Sequence, residues 1–155
     1  FKAIILNNNN ISISNKIVRK VHVKEKYRGQ AHLLIAYGSS HPANASYSCL
    51  QLMLADSLPG VYLATVEGYP QLSEVLPRLR RQGVKEGILS PYMLLAGEPA
   101  RHDMAACGEN SWKQILAREG FQVKVELCGL GGYPAYQEIF GQRVRDCPAG
   151  QAVGG

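Results

Sequence analysis

Three short segments of this 155-residue chain hold the side chains best suited to metal or acid–base chemistry. The first reads Ala36-Tyr37-Gly38-Ser39-Ser40-His41-Pro42-Ala43-Asn44-Ala45. Gly38 lets the backbone turn close to a ligand, and His41 stands where the next helix begins. Its imidazole is either a solvated loop side chain or a functional group. The second segment is Val66-Glu67-Gly68-Tyr69-Pro70. Glu67 either caps the helix beginning near Gln71 or acts as a metal ligand or proton acceptor. The third, Ala96–Met104, gathers Glu98, Arg101, His102 and Asp103 within six positions. That grouping is a surface ion-pair network, or a metal ligand at His102 beside an arginine whose planar fork suits a substrate carboxylate.

The elements around these segments give them a common address. His32–Tyr37 is a short apolar run that ends in Gly38-Ser39-Ser40, as a strand leading into a loop does. Ala43–Ser57 sets Tyr47, Leu50 and Leu54 at helical spacing, and Pro59-Gly60 stops it. The unit then recurs, with strand Val61–Val66, helix Gln71–Arg81, a stop at Gly83 and strand Gly87–Leu94. Pro77 inside the second helix is expected to kink or shorten it. After a loop over Leu95–Glu109 come helix Ser111–Glu119, strand Gln122–Cys128, a glycine-rich loop Gly129–Tyr133 and helix Pro134–Val144. Strands alternating with helices predict an α/β fold with a parallel sheet covered by helices on both faces. Ligands of such sheets bind beyond the carboxyl ends of the strands, so all three segments and Gly129–Tyr133 should surround one mouth.

Composition narrows the class. With 46% hydrophobic residues the chain can bury one core, and one compact domain is expected. The net charge of +5 is not spread evenly. Residues 1–30 hold seven basic residues against Glu25 alone, which leaves ten basic and eleven acidic residues in the remainder. A nearly neutral body argues against nucleic-acid binding. We therefore expect a basic N-terminal extension over 1–30, an α/β domain over 31–147 and a flexible tail over 148–155. Cys49, Cys107, Cys128 and Cys147 form no C-x-x-C pair, and read as buried or partly buried thiols of a reducing, cytoplasmic compartment. No stretch approaches the ~20 apolar residues of a membrane span. The chain begins with Phe1 instead of Met, so whether an upstream part, with any targeting signal, precedes it is left open by the sequence.

In order and spacing, Leu34–Ala45, Val66–Pro70, Pro91–Ala105, Ser111–Lys113 and Gly129–Ala135 resemble the anaerobic sirohydrochlorin cobaltochelatases of the CbiK type. The likeness runs over about residues 31–146 and corresponds to the second of the two similar halves of such class II metal chelatases. It implies a lyase that inserts cobalt(II), as substrate metal, into sirohydrochlorin during anaerobic cobalamin synthesis, with no organic cofactor. The family holds its metal with a histidine of a G-H-G-[TS] loop, a glutamate of an E-x-Y-P loop and a histidine of an A-G-[DE]-H-A loop. Those positions are Tyr37, Glu67 and Pro99 here, so only Glu67 keeps ligand chemistry. A phenol must first lose a proton with a reference pKa of about 10, and proline has no side-chain donor.

His41 lies four residues after Tyr37, and His102 three after Pro99. We expect His41, Glu67 and His102 to form a relocated metal and catalytic site, with the macrocycle against Tyr37, Gly38, Met93 and Arg101. A half that has lost its metal histidines and binds tetrapyrrole or metal without turnover is the alternative. The second wall of the cleft would come from self-association or from a missing N-terminal half.

Overall fold

The computed structural model describes residues 30–105 and 110–146. The basic extension, apart from Gln30, and the tail lie outside the described residues, as do Cys107 and Cys147. Four parallel strands, β1 (Ala31–Gly38), β2 (Val61–Glu67), β3 (Glu86–Pro91) and β4 (Gln122–Val125), form one sheet in the order β2-β1-β3-β4. Five helices connect and cover it: α1 (Ala45–Ser57), α2 (Leu72–Arg81), α3 (Glu98–Ala105), α4 (Trp112–Arg118) and α5 (Pro134–Arg145).

Side chains alternate across a strand, and β1 is buried on both faces, which explains its unbroken apolar run. Leu33 and Ile35 join Val75 and Leu79 of α2, Ala100 and Met104 of α3, and Trp112 and Leu116 of α4 in one core. Leu34 and Ala36 join Leu50 and Leu54 of α1, with Tyr136 and Ile139 of α5 packed alongside. The sheet is thus the middle of three layers, as expected. Because the chain leaves β1 toward one face and β3 toward the other, the crevice between these two neighbouring strands is the switch point of the fold.

Several local expectations are corrected. Residues Pro42–Asn44 form a separate 3-10 turn before α1, with His41 as its cap. The loop expected over Leu95–Glu109 contains α3, whose Ala100 and Met104, four apart, are both buried. β3 ends at Pro91, beyond which Tyr92 makes one more bond, from its N–H to Ile35 O at 2.6 Å. β4 stops at Val125, short of Cys128, because the following chain turns to bond β3's own loop, Leu130 N–H to Met93 O at 2.8 Å and Gly131 N–H to Leu94 O at 3.0 Å. Pro77 is accommodated within α2, which runs unbroken from Leu72 to Arg81, and both Pro77 and Ser73, one turn before it, are exposed. Cys49 is exposed and Cys128 half-buried, so Cys49 departs from the buried-thiol reading.

The outer edge of the sheet at β2 is closed by its own chain. Three of the amides on its outer side are taken: Val61 N–H by Leu58 O at 3.1 Å, Leu63 N–H by the buried Gln51 side chain, and Thr65 N–H by Pro70 O at 2.7 Å. Among the described residues no helix is long and apolar enough to cross a membrane.

Candidate functional site

The strands end on one side of the molecule, and the segments singled out in the sequence follow them there. β1 delivers Tyr37 and Gly38, then the turn that holds His41; β2 delivers Glu67, then Gly68 and Tyr69. Met93 follows β3, and α3, the next element, bears Arg101 and His102. The loop after β4 lies against the loop after β3, where Gly129 is so close that a Cβ would stand 2.6 Å from Leu94 O.

The first two loops are held together by backbone geometry. Gly38 and Glu67 are register partners, and Gly38 has a φ of 79°. A Cβ at Gly38 would overlap Glu67 O and stand 2.8 Å from Thr65 Cβ, so only glycine lets the strands stay paired to this point. Thr65, buried, donates its hydroxyl to Pro70 O at 2.9 Å and folds the second loop back on its strand. The buried Asn44 joins the loops, accepting from Ser39 N–H at 3.0 Å and donating to Tyr69 O at 2.8 Å. Asn44, Thr65, Gly68 and Gly129 are thus supporting residues that the sequence reading did not single out. Their signal was faint, since a buried asparagine directly before a helix looks like part of the helix.

His41 is exposed and fixed by its neighbours. Its N–H donates to Ser39 Oγ at 3.1 Å, and its Nδ1 accepts from Ala43 N–H at 3.1 Å. A neutral imidazole whose Nδ1 accepts carries its proton on Nε2. Metal ligation through either nitrogen therefore requires the Ala43 bond to break. His102 is 82% exposed, with Nδ1 3.6 Å from Asp103 Oδ1 on the same helix. Glu67 and Arg101 are exposed as well. Among the described residues no three His, Cys, Asp or Glu side chains stand together as a metal-holding group, so His41, Glu67 and His102 share a side of the fold without forming a ligand cluster as they stand.

The mouth is also apolar. Each strand end is accompanied by a large exposed side chain: Tyr37 (45% exposed), Tyr69 (53%), Leu95 (76%) and Leu127 (38%). Together they give the strand-end side of the fold an exposed apolar character. Burial pushes the phenols of Tyr47 and Tyr136 up from their usual value, so neither is a source of phenolate beneath the mouth. The large cleft of about 430 Å³ lined by Gln51, Tyr62, Arg78 and Arg81 lies instead against α1, α2 and the start of β2, and contains none of the candidate residues.

Comparison with known proteins gives a consistent picture. A family model described as cobalt chelatase (CbiK) matches residues 3–148, which extends the likeness upstream of residue 31. The chain is 35% identical over 108 residues to the sirohydrochlorin cobaltochelatase of Salmonella typhimurium. It is 32% identical over 111 residues to the sirohydrochlorin cobaltochelatase CbiKC of Nitratidesulfovibrio vulgaris. These alignments take in 70% and 72% of this chain but only 41% and 39% of the relatives, so the chain spans about two fifths of their length. Among solved structures, a cobalamin (vitamin B12) biosynthesis CbiX protein from Marinobacter aquaeolei superposes with a TM-score of 0.62 at 23% identity, over 75% of this chain and 94% of that one. SirB from Bacillus subtilis with Fe3+ superposes with a TM-score of 0.55 at 20% identity, over 90% of this chain and 54% of that one. Both share the fold.

Proposed function

The chain belongs to the CbiK cobalt chelatase family, and from that premise we propose that it presents cobalt(II), as substrate, to sirohydrochlorin at the mouth formed by the four strand ends. The observation that carries this reading is the position of Glu67. It is the one family ligand position whose chemistry is kept, and it lies exposed beside the His41 turn at a mouth edged by Tyr37, Tyr69, Leu95 and Leu127. The exposed apolar side chains suit a flat macrocycle, and the carboxylate suits a divalent ion.

In this reading cobalt(II) gathers Glu67, His41 and His102. Two imidazoles and a carboxylate leave coordination positions open for the pyrrole nitrogens. Recruiting His41 removes its bond to Ala43 N–H, a cost of about 1 kcal/mol that the metal–nitrogen bond offsets. As the ion enters the ring, the pyrrole N–H protons must leave, and Glu67 or a released imidazole takes them. Arg101, exposed on α3, pairs with a peripheral carboxylate of the substrate, and Met93, Tyr37 and Gly38 contact the ring. The protein then works in the cytoplasm, without an organic cofactor and without nucleic acid. Because the chain spans two fifths of its curated relatives, the facing wall comes from a second copy or from the rest of a longer protein.

The experiment is cobalt insertion into sirohydrochlorin, followed by the absorbance of the macrocycle. Turnover that falls when His41 and His102 are both changed to Ala supports the reading; no turnover at any cobalt concentration overturns catalysis. Cobalt affinity unchanged in that double variant overturns the relocated ligands. One observation favours a second reading, a half-chelatase that binds without turnover: two of the three family ligand positions are Tyr37 and Pro99. Sirohydrochlorin binding without insertion is its signature.

A further inference from the structure

We infer that Asn44 is a positioning residue of this site, a single buried amide that sets the separation between the His41 turn and the Glu67 loop; the inference rests on the reading of that mouth as a metal-presenting site. The side chain is 9% exposed and reaches across the two loops. Its Oδ1 accepts from Ser39 N–H at 3.0 Å, and its Nδ2 donates to Tyr69 O at 2.8 Å, 25 residues away. The two partners fix which way the amide points, because one is only a donor and the other only an acceptor. No other side chain of this size offers both functions in that geometry: aspartate would set an oxygen against Tyr69 O, and leucine would take the acceptor from Ser39 N–H and leave Tyr69 O only the longer bond from Ser48.

The packing around the amide is tight. Gly68, with a φ of 83°, lies so close that a Cβ would stand 2.6 Å from Asn44 Nδ2 and 2.6 Å from Ser39 O. The loop after β2 therefore has room to reach the amide only because position 68 has no side chain. Ser48 adds a bond to the same acceptor, from its Oγ to Tyr69 O at 3.3 Å. Asn44 is itself the last residue of the 3-10 turn that His41 caps, and α1 begins directly after it. The bridge thus ties a turn that is capped by His41 and continued by α1 to the chain that carries Glu67. Glu67 is one residue before Gly68, and His41 is two residues after Ser39, so the amide joins the two stretches of chain that carry the candidate ligands.

Two measurements test this on the full chain. In the first, amide hydrogen exchange is followed by NMR in Asn44→Ala and Asn44→Leu. Faster exchange of the Ser39 amide, with the fold kept by circular dichroism, supports the bridge. Wild-type protection of that amide overturns it, whether or not the chain binds cobalt. In the second, cobalt(II) affinity and the visible ligand-field spectrum are compared with those of Gln51→Ala, a buried substitution in the helix that follows Asn44. The Asn44 variants are expected to raise the cobalt Kd at least tenfold and shift the spectrum, while Gln51→Ala loses stability and keeps both. A wild-type Kd and spectrum in folded Asn44 variants overturns the positioning role. A wild-type chain without cobalt affinity overturns the metal-presenting reading instead, and the exchange data then decide the bridge alone.

Discussion

Gly38 and Glu67 face each other across the last rung of the β1–β2 ladder, and the glycine approaches the glutamate's carbonyl oxygen more closely than any side chain would allow. The candidate ligand is therefore placed by an absence of atoms on the neighbouring strand. Gly38→Ala is expected to cost about 1–2 kcal/mol for the left-handed backbone. Overpacking against Glu67 O and Thr65 adds about 1–3 kcal/mol. Urea unfolding checks this, and an unchanged midpoint would refute the close approach.

Restoring histidine at the two altered family positions tests the other side of the same site. Tyr37→His with Pro99→His is expected to raise cobalt(II) affinity at least tenfold, about 1.4 kcal/mol. Titration calorimetry reads it directly. A double variant that folds and binds no more tightly would show that the mouth fails for reasons other than its missing imidazoles.

Helix α3 is anchored by Met104, which is fully buried between the sheet and α4. Met104→Ala is expected to destabilise the protein by about 2–5 kcal/mol. Because Arg101 and His102 ride on that helix, it should also weaken sirohydrochlorin binding where the variant remains folded. Thermal unfolding and macrocycle fluorescence quenching measure the two effects. Loss of stability with full retention of binding would separate Arg101 and His102 from the substrate.

His32, buried at the start of β1, gives the fold a pH dependence. Burial lowers its pKa from 6.5, partly opposed by the Glu126 carboxylate, which raises it. The folded state thus prefers the neutral ring, and the unfolded chain binds the proton more readily. Stability from this group is complete above the unfolded value of 6.5 and is lost as pH falls below it through the lower folded pKa. His32→Gln should flatten denaturation midpoints between neutral pH and about pH 5 relative to the wild type. A variant whose midpoints fall as steeply as the wild type's assigns the acid sensitivity to other groups.

What could be read from the sequence follows from the range of the interactions. β1 and the α1 and α2 spacing announce themselves, because an apolar run and a helical repeat are local patterns. Helix α3 is quieter: two buried residues, Ala100 and Met104, carry its contact with the core, and the charged residues around them look like loop. The mouth was legible as an address, since parallel strands must end together. Its construction was not. Asn44 bonds a carbonyl 25 residues away, and Gly129 fits against Leu94 O, contacts that no spacing within a segment encodes. The engagement of His41 Nδ1 by Ala43 N–H is local, yet it depends on the 3-10 turn, which the helical pattern concealed.

The self-contained flank of β2 bears on how the chain behaves among its own copies. A sheet edge with vacant amides invites other edges to zip onto it, and newly made or crowded chains precipitate that way. Here Leu58, Gln51 and Pro70 occupy three such amides from within. Recognition of another polypeptide is thereby steered away from that flank, which makes the fold a tolerable neighbour to its own copies.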